Sequence, residues 1–447
     1  MTTVVQANEP AVPRPGGHVA GLRCRRCGRP EGLGPAFVCP ACFGPLEVIY
    51  DLDVARGTLS REAVAGRAAG IWRYLELLPV DATPPRGLAV GGTALVEAER
   101  LAAELGVRRL WLKDDSRNPT LSFKDRVVAL AAARAVEFGF DTLACASTGN
   151  LAGATAAAAA ALGLRAVVFV PADLEPAKVA HALAYGATVV PVQGTYDEVN
   201  RLSLEIAGEH PWAFVNVNLR PYYAEGSKTL AFEIAEQLGW RLPDVIVAPL
   251  ASGSLYVKIA KGIGELAEVG LVQQRAVRFV GGQPAGCGPI AEAWSAGADE
   301  IVPVRDPRTI VKSLAIGSPA DGTYALEVAR ASGGAIEAVS DDATAAAIRS
   351  VAELEGIYPE TAGGVTVAAL QQSLARRVVR PEDEVVVLLT GNGLKTPEAR
   401  SLRQAPASSP RPGTPGLADP LRPSLSAFEA WLDGPGASAV EYPILDR

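Results

Sequence analysis

Short, almost wholly apolar runs recur through the middle of the chain: LACAS (143–147), RAVVFVP (165–171), ATVVPVQ (187–193), AFVNV (213–217), DVIVAPL (244–250), VRFVGG (277–282) and EVVVLLTG (384–391). A strand without a polar face must be covered on both sides. Runs of this kind, separated by amphipathic segments, therefore predict parallel strands between helices, an α/β body over about residues 85–400. The 447 residues suggest two or three packed units. The stretch from Leu151 to Leu164 holds eight alanines. It is too short to cross a bilayer, which needs roughly 20 apolar residues, so it predicts a buried helix.

The flanks differ from this body. Residues 1–20 read as a disordered lead-in, 21–50 as a small cysteine module, and 401–447 as a flexible Pro/Ser-rich tail carrying one short amphipathic piece, LSAFEAWLD (425–433). The first 23 residues contain no continuous apolar run, so no secretory signal is predicted and a cytoplasmic protein is expected. The 42 basic and 49 acidic side chains leave a net charge of −7, which argues against nucleic acid or an anionic membrane as a general partner. The three histidines, His18, His181 and His210, lie far apart, which disfavours a histidine-rich metal centre and Ser-His-Asp chemistry. Neither a G-x-G-x-x-G nor a G-x-x-x-x-G-K-[ST] pattern occurs.

Four of the six cysteines form two C-x-x-C pairs, Cys24/Cys27 and Cys39/Cys42, eleven residues apart. Each pair can close two thiolates on one ion, and two pairs predict tetrahedral sulphur coordination of Zn²⁺. Four protein ligands leave no open position, so the expected role is structural. A ribbon that carries the ligands and holds no metal is the plain alternative. Cys145 and Cys287 read as buried small apolar residues.

The segment KDDSRNPTLSFKDR (113–126) passes from a strand end through an NPT turn into a helix, placing Lys124 at a helix N-terminus. A lysine on a helix is ordinarily a solvated surface charge. Here Phe123, the helix dipole and a nearby cation are expected to disfavour the ammonium form, as an imine-forming amine requires. Two strand-to-helix loops offer hydroxyls and amides to anions: Ser147-Thr148-Gly149-Asn150 and Ala251-Ser252-Gly253-Ser254. A third strand ends as Leu389-Thr390-Gly391-Asn392-Gly393. Glu360 could line a site or cap a helix beginning near Thr361.

NPTLSFKDR, ASTGN, VNLRPYYAEGSKTLAFEIAEQLGW (217–240), KSLAIGSPADG (312–322), YPETAGG (358–364) and TGNGLK (390–395) together resemble the fold-type II enzymes dependent on pyridoxal 5′-phosphate (PLP). More closely, over roughly residues 20–400, the chain is similar to the threonine synthases that carry an N-terminal zinc-ribbon-like module. The resemblance implies a tryptophan synthase β-like α/β fold of two open domains. The larger would span 51–120 and 223–400, and the smaller 121–222. It implies that Lys124 bonds the cofactor aldehyde and that Asn150 meets the pyridine 3′-oxygen. Ser252, Gly253, Ser254 and Leu255 would hold the cofactor phosphate, although ASGSL has fewer glycines than many relatives. Thr390 would partner the ring nitrogen. Ser147 and Thr148 would hold the substrate carboxylate, and Asn218, Arg220 and Lys228, with Asn216 beside them, the substrate phosphate.

The implied reaction converts O-phospho-L-homoserine and water into L-threonine and phosphate. The implied partner is a small phosphorylated amino acid, and a homodimer is the family expectation. Rivals within the class are a threonine dehydratase or a cysteate synthase. The rival of another class is a non-catalytic zinc-ribbon interaction protein on an inactive PLP fold, against which the presence of Lys124 argues.

Overall fold

The computed structural model describes residues 18–396 apart from Thr148, Asp173, Glu175 and Thr195, and leaves the side chains of Pro176, Ala177, Lys178 and Asp197 aside. The expected tail over 401–447 and nearly all of the expected lead-in over 1–20 lie outside the described residues.

Three strands, β1 (Val19–Cys24), β2 (Pro30–Glu31) and β3 (Leu46–Tyr50), form an antiparallel sheet in the order β2-β1-β3. The strands that follow are β4 (Leu95–Glu97), β5 (Arg109–Asp114), β6 (Thr142–Ala146), β7 (Arg165–Pro171), β8 (Thr188–Val192), β9 (Ala213–Phe214), β10 (Val245–Pro249), β11 (Arg278–Pro284), β12 (Ala335–Val339) and β13 (Glu384–Leu389). They build a six-stranded sheet in the order β12-β11-β10-β13-β5-β4 and a four-stranded sheet in the order β8-β7-β6-β9. Every pairing in these two sheets is parallel except β4 with β5.

All residues of β6, β10 and β13 are buried, as uniformly apolar parallel strands require. Along β10 and β13 the side chains alternate between two cores. Ile246, Ala248, Val386 and Leu388 enter one, while Val245, Val247, Val385 and Val387 enter the other. Each such valine, leucine or isoleucine contributes about 1.5–3 kcal/mol by leaving water. The alanine-rich helix Asn150–Leu162 is buried from Leu151 to Ala159, and Gly163 closes it in the left-handed conformation at φ +71°. No helix among the described residues is long and apolar enough to cross a membrane.

The run AFVNV is a strand for only two residues. After Phe214 the chain turns, with the Val217 amide donating to the Phe214 carbonyl at 3.0 Å, and Asn216 reaches a cavity instead of the sheet. The loops after β5, β6, β10 and β13 all leave the carboxyl ends of parallel strands, where open α/β sheets place their ligand crevices.

Candidate active site

Those loops surround a cavity of about 240 Å³. Lys124 lines it as the first residue of the helix Lys124–Glu137. Its Nζ donates to the Tyr223 hydroxyl at 3.1 Å and lies 4.7 Å from the centre of the Phe123 ring. Burial pushes its pKa down to about 8, against the Glu360 carboxylate, which pulls it up. The expected lowering is present, but its cause is desolvation. The charged neighbours that bear on Lys124 are acidic, so the expected cation makes no contribution.

The residues after Lys124 hold it in place. The Asp125 carboxylate accepts from the amide and hydroxyl of Thr120, both at 2.7 Å, closing the turn before the helix. The Arg126 guanidinium is wholly buried and bonds two carboxylates at once, Asp115 at 2.7 and 2.9 Å and Glu233 at 2.7 Å from each of two nitrogens. Lys113 shares Glu233 at 2.7 Å. Buried charges persist only when paired and hydrogen-bonded in this way. Gly226 lets the neighbouring chain approach, since a Cβ there would sit 2.6 Å from the backbone of Arg126 and Val127.

In the ASTGN loop, the Ser147 hydroxyl accepts from the amides of Gly149 and Ala152 at 3.0 and 2.9 Å, leaving its own hydrogen to donate. Asn150 lines the cavity and donates to a Glu360 carboxylate oxygen at 2.8 Å. Thr148 lies outside the described residues. Glu360 occupies the position before the helix Thr361–Ala375, yet its side chain makes no cap bond; it lines the cavity. Both readings of Glu360 are thus resolved in favour of the cavity.

Ser252, Gly253, Ser254 and Leu255 all line the cavity at the start of the helix Ser254–Glu268. Gly253 has φ +94°, and a Cβ there would stand 2.7 Å from the Asp321 carbonyl oxygen. Thr390 is buried and lines the cavity, while its carbonyl accepts from the Phe123 amide at 2.9 Å.

Arg220 lines the cavity and pairs with Asp321 at 2.6 Å. Two residues expected beside it are elsewhere. The Asn218 side chain donates to the Trp212 carbonyl at 3.0 Å and is not part of the cavity wall. Lys228 is wholly buried, with its Nζ 2.6 Å from both Glu225 and Glu265 and 3.9 Å above the Tyr50 ring. The physical reason is the helical turn. Ser227 faces the cavity, and the residue after it is rotated about 100° away, into an ion cluster that also holds Lys258 and Lys261. Asn216 does line the cavity.

Phe37, Tyr196, Asn200, Tyr223, Ser227, Lys312 and Lys395 also line it, beyond the residues expected from sequence. Tyr223 and Ser227 lie inside the RPYYAEGSK segment and Lys395 inside TGNGLK, so motif membership is their signal. Phe37 has none.

The four cysteine sulphurs of the N-terminal module lie within 4.8 Å of one another, with Cys24 and Cys42 at 3.4 Å and Cys27 and Cys39 at 3.8 Å. All four are free thiols. Four sulphurs bonded tetrahedrally to zinc at ~2.3 Å would stand ~3.8 Å apart. That is the separation of Cys27 from Cys39 and a few tenths of an ångström more than that of Cys24 from Cys42, so small shifts would close the cluster on that ion.

The cavity combines an amine of lowered pKa, amides and hydroxyls at a helix N-terminus, an amide side chain and a buried threonine hydroxyl. These donors fit a flat pyridine aldehyde with a phosphate arm.

Residues 87–391 match the family of pyridoxal-phosphate dependent enzymes. The chain is 36% identical over 379 residues to the threonine synthase of Methanocaldococcus jannaschii, covering 84% of this chain and 93% of that one. It is 35% identical over 344 residues to the threonine synthase of Mycobacterium tuberculosis, covering 76% and 92%. Among solved structures, diaminopropionate ammonia lyase from Escherichia coli superposes with a TM-score of 0.58 at 23% identity, covering 69% of this chain and 86% of that one. The processed form of threonine deaminase isoform 2 from Solanum lycopersicum superposes at 0.56 with 22% identity, covering 69% and 83%. Likeness at this level of identity bears on the fold alone. The fold is fold-type II.

Proposed function

The chain belongs to the pyridoxal-phosphate dependent enzymes and, among them, to the threonine synthases; from that premise we propose that it converts O-phospho-L-homoserine and water into L-threonine and phosphate. The observation that carries this reading is the lining of one cavity by both the lowered amine of Lys124 and the guanidinium of Arg220. An amine and a fixed cation in one pocket suit an amino acid whose far end bears a dianionic leaving group.

Lys124 would hold the cofactor, Asn150 would meet its ring oxygen, residues 252–255 would take its phosphate and Thr390 would partner the ring nitrogen, all of them lining the one cavity. Pyridoxal phosphate, when bound, supplies the electron sink that lets C–H bonds near the substrate amino group ionise. A neutral hydroxyl at Thr390, in place of a carboxylate, moderates that sink and suits elimination and replacement at the β- and γ-carbons. The Lys124 Nζ is the group that would carry protons to and from the substrate carbons. An amine with a pKa of about 8 can both take and return one near neutral pH. Ser147 donates its free hydroxyl hydrogen to the substrate carboxylate. Arg220 exchanges Asp321 for the substrate phosphate and offsets its charge as it leaves.

The cysteine cluster takes Zn²⁺ as a structural ion, and the enzyme works in the cytoplasm as a homodimer. The supports for these finer points are the four reduced, converging thiols and the family likeness.

The test is phosphate release from O-phosphohomoserine with threonine identified as product, and Lys124→Ala as control. Ammonia and a keto acid would point to a dehydratase, and sulphite dependence with phosphoserine to a cysteate synthase. Either result overturns the reading. A colourless protein that takes up no PLP would favour the non-catalytic rival.

A further inference from the structure

The cysteine module is not confined to the periphery: Phe37, between its two C-x-x-C pairs, lines the same cavity as Lys124 and Arg220. We propose that Phe37 is a wall of the substrate site that sets its fit for the phosphorylated end of the substrate, and that the four-cysteine cluster is the brace that holds it there. The proposal rests on the cofactor-dependent reading above.

Residues 28–38 join the pairs and contain Gly28, Pro30, Gly32, Gly34 and Pro35, with only the two residues of β2 in regular structure. A segment of this composition has little conformational preference of its own and depends on what pins it. At one end Cys27 and at the other Cys39, two residues beyond Phe37, enter the sulphur cluster. Between them the Gly34 amide donates to the Tyr222 hydroxyl at 3.0 Å, and that hydroxyl donates to the Gly34 carbonyl at 2.9 Å. The Ala36 amide donates to the Asn218 carbonyl at 2.8 Å.

These anchors belong to the stretch that carries the site. Asn218 is two residues before Arg220, and Tyr222 stands beside Tyr223, which bonds Lys124. The Phe37 side chain packs against the apolar cluster that includes Ala146, Phe214 and Val217. It is half-buried, touching protein on one side and the cavity on the other. An aromatic ring in that position excludes water from the cavity and contacts a ligand bound between Lys124 and Arg220. Opening the cluster would free Cys39 and release the ring two residues away.

The experiment compares holoenzyme of the wild type with Phe37→Ala, Phe37→Leu, Cys39→Ser and Phe37→Ala combined with Cys39→Ser. Three readouts are taken: KM and kcat for O-phosphohomoserine, the rate at which borohydride bleaches the cofactor absorbance of the resting enzyme, and limited proteolysis within residues 28–38. Phe37→Ala should raise KM by about tenfold, the loss of one well-packed aromatic contact, with a smaller effect on kcat and severalfold faster bleaching. Phe37→Leu should fall between it and the wild type. Cys39→Ser, or a zinc chelator applied to the wild type, should expose residues 28–38 to protease and reproduce the kinetic change. In the Phe37→Ala background the cysteine change should add less than twofold. KM and bleaching within twofold of wild type in Phe37→Ala would overturn the wall. Full additivity of the two changes would overturn the brace. Should the wild type release no threonine, the reaction assignment fails, while the bleaching rates still decide whether Phe37 closes the cavity.

Discussion

The hydroxyl of Tyr223 stands 3.1 Å from the amine of Lys124, although 99 residues separate the two in the chain. Burial raises the phenol's pKa, so it stays protonated across the working pH range. It can therefore orient the amine without adding charge. Tyr223→Phe should keep cofactor absorbance and lower kcat about three- to tenfold, the effect of one hydrogen bond of about 0.5–1.5 kcal/mol. Steady-state kinetics checks this, and an unaltered kcat would remove Tyr223 from the reaction.

Arg220 is the cation that the phosphate of the substrate would meet, and Asp321 holds it at 2.6 Å. Arg220→Ala should raise KM and lower kcat for O-phosphohomoserine while leaving the absorbance of the bound cofactor intact. A charge-assisted hydrogen bond of about 1.5–3 kcal/mol corresponds to roughly ten- to a hundredfold in kcat/KM. The same kcat/KM as wild type would take Arg220 out of the site.

The amine of Lys124 has its pKa pushed down from 10.5 to about 8 by burial. Only the neutral amine attacks an aldehyde, and lowering the pKa brings that form within reach of physiological pH. Uptake of PLP by the apoprotein, followed by absorbance, should therefore speed up with pH and level off above about pH 9, where roughly nine-tenths of such an amine is neutral. Uptake that keeps accelerating towards pH 10.5 would mark an ordinary solvated lysine.

Arg126 is buried with Asp115 and Glu233 as its partners. Arg126→Met leaves those carboxylates short of countercharge, with Lys113 alone beside Glu233. Such a change should cost about 3–5 kcal/mol of stability, read as a lower Tm or denaturation midpoint. It should also reduce PLP occupancy, because the start of the helix carrying Lys124 loses its anchor. A Tm equal to that of the wild type would show that the network contributes nothing net.

Six of the seven apolar runs are strands much as written. The strands β6, β10 and β13 are buried on both faces and spell that burial out, whereas β8, apolar in sequence, lies at a sheet edge with no residue fully buried, so its expected cover on both faces is absent. The strand β12 escapes such a reading because Glu337 interrupts AIEAV; that glutamate is buried all the same, paired with Ser373 at 2.9 Å and Arg376 at 3.1 Å. The antiparallel edge strand β4 is only three residues long and half-exposed, too short to carry a pattern. Within the site, Lys124, Asn150, the 252–255 loop and Thr390 are legible from their places at strand ends. The positions of Asn218 and Lys228 are not, because linear proximity to Arg220 says nothing about which way a side chain leaves a turn or helix. Phe37 is invisible for a further reason: it reaches the cavity from a different module, and no local pattern records that it shares a wall with Arg220, 183 residues away.

The carboxylates that enclose Arg126 arrive at very different times during synthesis. Asp115 precedes it, but Glu233 follows 107 residues later, and at roughly 5–20 residues per second a ribosome takes on the order of ten seconds to deliver it. Throughout that interval the guanidinium has half of its eventual cage, so the helix that bears Lys124 cannot settle until the chain has been made to just past its midpoint. A nascent polypeptide stalled short of Glu233 would keep this cation in water and would be a substrate for chaperones rather than an early-folding unit.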